Sequence, residues 1–223
     1  MRIKLLILFI VSMVTLKAQT DTSMLIEYSY GYKFKDGLYI NFAQFLENNP
    51  TRFNFITIDT DQTSQDIIEN LEQSKTINFF NEFGIETSIN INEIWGCCVN
   101  GKPHVMWKNE FRLIPYIGSI SHFVANITVY YESMHDPFYD PYYYYSSVPS
   151  RQHSNELVQM IIDMKTGKIL EFNTDNISKV LARDSSLFKE FSELSKRKKR
   201  KLLFSFIRRY NENHPLYLPK NTD

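Results

Sequence analysis

Cys97 and Cys98 stand side by side, and His104 follows across an Asn100-Gly101 dipeptide. A cysteine beside a histidine is the pairing that can raise a thiolate nucleophile. Asn-Gly favours a two-residue type I′ turn. With that turn between two strands, Cys97 falls opposite His104 and Cys98 opposite Pro103, so a Cys97–His104 cross-strand pair is geometrically available. Cysteine is also a small hydrophobe that fills cores, and histidine often fills only a sheet position. The structural reading is therefore preferred for both. Being consecutive on a strand, the two cysteines point to opposite faces, and a bridge between them would depart from disulfide geometry.

Other chemistries have less support. There is no G-x-S-x-G elbow, no Ser-x-x-Lys set and no nucleotide-binding glycine loop, so no cofactor is expected. His104, His122, His135, His153 and His214 are scattered and form no H-x-x-x-H or H-E-x-x-H pair. His135, Asp136 and Asp140 sit close enough in sequence to reach one cation, but Asp-Pro is itself a turn signal. Asp59 and Asp61 lack the glycine and distal glutamate of a calcium loop. No metal site is expected.

Two compositional oddities remain. Residues 133–154 are rich in proline and tyrosine, with Phe138, Tyr139, Tyr142, Tyr143, Tyr144 and Tyr145 close together. Exposed tyrosines suit sugar, peptide or interfacial contacts, since each has an apolar ring and a polar tip. The plainer reading is an insertion that folds back on its own sheet. Lys196, Arg197, Lys198, Lys199, Arg200 and Lys201 form an unbroken basic run. Six residues exceed one and a half helical turns, so they must encircle the start of a helix rather than line one face. They read either as a solvated joint or as a contact for anionic phosphates.

The elements that must carry these residues follow from periodicity. Asp36-Gly37 is a turn, Leu38 to Ile40 a short strand, and Asn41 the cap of a short helix bearing Phe42, Phe45 and Leu46 and stopped by Pro50. Phe53 to Ile58 alternates like a strand. Asp59 to Ser74 is a loop or weak helix around Ile67, Ile68 and Leu71. Ile77 to Ile91 is strand-like with a break at Gly84. Ile94 to Val99 and Lys102 to Trp107 form the Asn-Gly hairpin, and Phe111 to Ile117 and Ile120 to Glu132 follow as strands. Leu157 to Met164 and Lys168 to Phe172 make a second hairpin around Gly167. From Thr174 the period is helical: Asp175 to Ala182, then Leu187, Phe188, Phe191 and Leu194 behind a cap at Asp184 or Ser185. Leu203, Phe206, Ile207 and Tyr210 mark a last helix that ends at His214-Pro215. Strands first and helices last predict an α+β fold: a mainly antiparallel sheet with a short N-terminal helix and a C-terminal helical unit packed on it.

The first 18 residues have the order of a secretory signal, with Arg2 and Lys4, an apolar run from Leu5 to Leu16, and Ala18 at the cut. That run of about a dozen is short of the roughly 20 a membrane span needs, and no later segment reaches that length, so no transmembrane span is expected in a mature chain beginning at Gln19. One exported domain, 19–223, is then expected, β-rich over 36–172 and helical over 174–214. Its destination is the periplasm, the cell surface or the medium. The full chain of 223 residues balances 25 basic against 25 acidic side chains. Residues 1–18 remove three bases and no acid, leaving 22 against 25. A net charge of −3 argues against a general nucleic-acid binder. Forty-three per cent hydrophobic residues excludes a disordered chain, and two cysteines exclude a disulfide scaffold.

Three stretches together, DGLYINFAQFLENNP (36–50), IWGCCVNGKPHV with FRLIPYIGSISHF (94–105 and 111–123), and LARDSSLFKEFSELSKRKKRKLLFSFIRRYNENHPLYLP (181–219), resemble uncharacterised exported proteins of Bacteroidota. The resemblance spans most of the mature chain and implies compartment and a coherent fold, but no chemistry. Separately, IIDMKTGKIL resembles the Asp-x-x-Thr-Gly hairpin of PepSY and other exported β-domains, over ten residues that are mostly turn chemistry. Absent catalytic motifs, the leading expectation is a non-enzymatic exported protein that binds an envelope component or partner protein. The alternatives are an enzyme acting on a cell-envelope polymer and a peripheral envelope protein attached through its basic helix.

Overall fold

The computed structural model describes residues 24–56, 63–81, 83–132 and 151–221. Residues 1–18 and Gln19, Asp59, Asp61 and the whole segment 133–150 lie outside them. In chain order the elements are β1 (Leu25–Glu27), β2 (Gly37–Tyr39), α1 (Phe42–Leu46), α2 (Ser64–Gln73), β3 (Thr76–Phe80), β4 (Glu86–Asn90), β5 (Gly96–Val99), β6 (Lys102–Trp107), β7 (Glu110–Leu113), β8 (Ile120–Glu132), β9 (Arg151–Asp163), β10 (Lys168–Glu171), α3 (Thr174–Leu181), α4 (Ser185–Glu193), α5 (Lys196–Asn213) and β11 (Tyr217–Pro219). Pairing is antiparallel throughout, in sheets ordered β2-β5-β6-β7, β10-β9-β8, β3-β4 and β1-β11. The fold is α+β, with its helical unit at the C-terminal end.

Side chains that cap set the helix starts. Asn41 accepts the Gln44 N–H at 3.0 Å, and Asn173, Asp184 and Ser195 do the same for α3, α4 and α5. Each such cap satisfies an amide that has no partner within its helix. Thr63 and Asp66 form a reciprocal capping box, which turns the ambiguous stretch before Ser74 into a regular helix with Ile67 and Leu71 inward. Helix α1 stops at Leu46, ahead of Pro50, because Asn48 takes a left-handed φ of 47°.

Asn48 is 1% exposed, and all its polar capacity is used. Its Oδ1 accepts from the Lys35 N–H at 2.9 Å and the Tyr39 hydroxyl at 3.0 Å. Its Nδ2 donates to the Lys33 carbonyl at 3.2 Å and to Asn221 Oδ1 at 2.8 Å. An amide of this kind has two donors and a two-lone-pair acceptor, so nothing is left unsatisfied.

Two sequence expectations need correction. Phe53 to Ile58 was expected as a strand, but Phe53–Phe55 is a single 3₁₀ turn. Thr51 exchanges two 2.8 Å backbone hydrogen bonds with Leu38, while Ile56 bridges Phe79 in another sheet. Four residues must turn between those two anchors, and an extended segment does not. A Cβ on Gly37 would run into the Thr51 carbonyl, and Gly37 itself has a φ of 145°, so this crossing requires glycine. The second correction is β9, which begins at Arg151 rather than Leu157. Arg151 to Glu156 has no apolar alternation. Its extended form comes from pairing with Ile127 to Glu132, not from burial.

Three apolar cores result. The first lies between the four-stranded and three-stranded sheets, around Tyr39, Phe45, Cys98, Val105, Phe123 and Ile162. Phe45 is fully buried, with Phe34 stacked at 5.1 Å and Trp95 tilted at 4.3 Å. Truncating such a ring costs about 3–5 kcal/mol. The second core lies beneath α2, and the third joins Ile120 and Ile161 to α3, α4 and α5.

Asp163 fastens the third core to the sheet. It is 3% exposed, and its carboxylate accepts both guanidinium nitrogens of Arg183 at 2.7 Å each. It also accepts the Thr166 hydroxyl at 2.7 Å and the Lys165 N–H at 3.2 Å. The Asp-x-x-Thr-Gly turn is thus a structural clasp: Thr166 closes the hairpin and Arg183, from the end of α3, ties it to the helices.

Candidate functional site

The β5–β6 hairpin forms as its turn residues dictate. Asn100 and Gly101 have φ of 54° and 70°, both positions of a type I′ turn. The register places Cys97 opposite His104 and Cys98 opposite Pro103. Both cysteines are free thiols and point to different cores, Cys97 to that under α2 and Cys98 to that between the sheets. Burial pushes both thiols far above their ordinary value, and the Asp36 carboxylate adds to this at Cys98. Cys98 donates to Asp36 Oδ1 at 3.4 Å.

His104 is held below its ordinary value by burial and is neutral at pH 7. Its Nδ1 faces the Lys102 carbonyl at 2.9 Å, which assigns the proton to Nδ1 and leaves Nε2 as an acceptor. No hydrogen bond joins Cys97 to His104. They are neighbours, but not an activated pair, because a fully buried thiol does not ionise there.

His104 instead borders an open cleft of about 430 Å³ between α2 and the β5–β6–β7 sheet, with Ile68, Glu69, Glu72, Lys102 and Arg112 around it. Glu72 reaches from α2 to accept the Phe111 N–H at 2.6 Å. Burial, with Glu110 and Glu69 adding repulsion, outweighs that hydrogen bond and the attraction of Arg112 and raises the Glu72 carboxyl above its ordinary value. Arg112 pairs with Glu110 and donates to the Asn126 carbonyl at 3.1 Å. Its buried Nε has no partner among the described residues. A raised carboxyl and a neutral imidazole lining one cleft are acid–base equipment, and the mixed charge suits a small polar ligand. The sequence alone gave no signal for Glu72 or Arg112, whose meeting depends on α2 crossing the sheet.

The second feature is a ribbon. Strands β8 and β9 pair over thirteen residues, from Ile120↔Asp163 to Glu132↔Arg151, a length of about 40 Å at strand rise. Its inner half is core: Ile120, Phe123, Ala125, Met160 and Ile161 are buried. Beyond it no residue from Asn126 to Tyr130 or from His153 to Gln159 is buried, and Tyr130 and Leu157 are 68% and 71% exposed. The outer half is thus a two-stranded arm. The segment that joins Glu132 to Arg151 contains Phe138, Tyr139, Tyr142, Tyr143, Tyr144 and Tyr145, along with His135, Asp136 and Asp140; these lie outside the described residues.

The third feature is the start of α5. Lys196, Arg197, Lys198, Arg200 and Lys201 are exposed in its first two turns, and the apolar stripe Leu203, Phe206, Ile207 and Tyr210 is buried behind them. Lys199 departs from the rest: half-buried, it lies with Nζ 5.3 Å from the Phe191 ring centroid. The run therefore encircles the helix, as its length requires.

Among the described residues no three His, Cys, Asp or Glu side chains are placed to hold a metal ion, and no helix is long and apolar enough to cross a membrane. Comparison with family models, with curated proteins and with solved structures finds no significant match to this chain.

Proposed function

We propose that this chain is an exported, non-enzymatic binding protein of the bacterial envelope, and that it engages an envelope component or partner protein through the outer half of the β8–β9 ribbon. One observation carries the reading. No residue from Asn126 to Tyr130 or from His153 to Gln159 is fully buried, and the ribbon ends at the Glu132↔Arg151 pair, so the tyrosine-rich segment is joined to its far end. An isolated two-stranded ribbon is only marginally stable in water, and a partner laid on it would supply the missing cover. The secretory order of residues 1–18 supports the compartment.

The test is capture from envelope extract, identified by mass spectrometry, with wild type set against a variant in which Phe138, Tyr139, Tyr142, Tyr143, Tyr144 and Tyr145 are serine. A component held at least tenfold more weakly by the variant, with unchanged thermal unfolding, is the expected result. Equal capture by the two proteins would end the reading.

The α2 cleft favours a second reading, an enzyme acting on a cell-envelope polymer, because it places the raised Glu72 carboxyl and the neutral His104 on one cleft. Turnover of purified envelope polymer that disappears in both Glu72→Gln and His104→Ala would establish it; absence of turnover in wild type would dismiss it.

A further inference from the structure

The outward face of α5 differs from the rest of that helix in what its cations touch. Arg209 is turned toward α4 and grips Glu190 with both guanidinium nitrogens, at 2.7 and 2.6 Å. Arg197, Arg200, Lys201 and Arg208 are exposed and make no ion pair with any described residue. Their spacing, together with Phe204, is i, i+3, i+4, i+7 and i+11, which brings all five to one side of a helix. The helix holds one acid, Glu212, a turn beyond Arg208. Glu171, at the end of β10, accepts from Asn173 Nδ2 at 3.2 Å.

Phe204 is 48% exposed at the centre of this cationic face. It is braced from below, with its ring 4.6 Å from Phe172 and 4.7 Å from His122, centroid to centroid. Those two rings meet at 5.3 Å in the seam between α5 and the β8–β9–β10 sheet. The bracing holds a half-exposed aromatic ring among four cations that form no ion pair with a described residue.

We propose that this face docks the protein on an anionic lipid bilayer, with Arg197, Arg200, Lys201 and Arg208 against headgroup phosphates and Phe204 entering the interface. Charge complementarity selects the occupant. A helix side is convex and offers no enclosing donors for a free phosphate, whereas a flat array of phosphates meets all four cations at once. An apolar ring flanked by Lys and Arg is the composition of helices that lie in a membrane interface. The surface is not the basic run as a whole: Lys199 belongs to the body, and Arg208 and Phe204, outside the run, belong to the face. The inference rests on the exported, envelope-facing reading above.

The experiment is sedimentation of the purified exported protein with vesicles of phosphatidylglycerol mixed with phosphatidylcholine, and with pure phosphatidylcholine vesicles, at low and high salt. Wild type should bind the anionic vesicles at low salt, spare the neutral ones and be released at high salt, where the Debye length shrinks. Each basic residue near such a surface is worth about fivefold in partition, so a variant with Arg197, Arg200, Lys201 and Arg208 all changed to Gln should fall to the neutral-vesicle level. Phe204→Ser should lose about tenfold while keeping the salt dependence, and Phe204→Leu, which preserves the packing, should bind like wild type. Thermal unfolding of each variant guards against misfolding. Equal binding to both vesicle types, no binding by wild type, or no loss in the four-Gln or Phe204→Ser variants would overturn the proposal. The tyrosine-to-serine variant should sediment like wild type, which separates failure here from failure of the ribbon reading.

Discussion

Replacing Arg183 by alanine removes both 2.7 Å hydrogen bonds from the Asp163 carboxylate and leaves only the Thr166 hydroxyl and the Lys165 N–H on it. The Asp163 side chain is 4% exposed and that of Arg183 is 31% exposed. Breaking a fully buried pair costs about 3–5 kcal/mol. Water can enter where the arginine was, so the loss expected here is about 2–3 kcal/mol at neutral pH. The pH dependence identifies the cause. Burial alone would push the Asp163 carboxyl up, but Arg183, Thr166 and the Lys165 N–H outweigh it and hold it below its ordinary value. In wild type this carboxylate therefore adds stability above its unfolded-state value, and loses it as pH falls through the lower folded value. Without Arg183 its hydrogen bonds and its charge no longer lower the carboxyl, and the folded value rises. The stability gap to wild type is then full at neutral pH and shrinks as pH falls through the raised value. Urea unfolding of wild type and Arg183→Ala at pH 7 and near pH 4 should show a stability gap that narrows with acid. An Asp163→Asn, Arg183→Met double variant should recover part of the loss, since no charge is then buried unpaired. A gap under about 0.5 kcal/mol at pH 7, or one that does not change with pH, would refute the clasp.

Further outcomes are expected. Both thiols should be silent to a thiol reagent in the native protein and titrate as two per chain after denaturation without reductant, because Cys97 and Cys98 are buried and free. Glu72→Gln keeps an oxygen for the Phe111 N–H and removes a carboxylate whose folded value is raised. It should match or slightly exceed wild-type stability at pH 7, by no more than a few tenths of a kcal/mol because water screens this half-exposed group, with the difference vanishing below the unfolded-state value near 4. The exported protein should begin at or near Gln19, seen by mass spectrometry as a loss of about two kilodaltons; an intact Met1 in the envelope fraction would contradict it.

What could be read in the sequence were the features that local chemistry decides. Asn100-Gly101 sets its own turn, and with it the Cys97↔His104 register. Asn41 and Asp184 cap where their side chains can reach the next free amides. The stripe Leu203, Phe206, Ile207 and Tyr210 goes inward because its spacing leaves no other face. The misreadings arose where distant partners decide. Phe53 to Phe55 alternates like a strand but is bent by anchors at Leu38 and Phe79, and Arg151 to Glu156 is extended only because its partner strand continues. Asn48 and Glu72 have the same origin. Asn48 is held by a bond to Asn221 that spans 173 positions. Glu72 meets the Phe111 amide 39 residues away, and no local pattern records that meeting.

The pairing of β1 with β11 also fixes when folding can finish. Leu25, Ile26 and Glu27 pair with Pro219, Leu218 and Tyr217, and the Tyr32 hydroxyl donates to the Pro219 carbonyl, 187 positions on. Strand β1 thus waits for a partner made long after it. Until it arrives, the aromatic cluster of Tyr28, Tyr32 and Phe34 lacks Leu216 and Leu218, the side chains that complete its core. Contacts so distant in sequence make folding slow. The same pairing makes the body's closure depend on both ends of the described chain, so loss of Leu216 to Pro219 should leave the cluster of Tyr28, Tyr32 and Phe34 open.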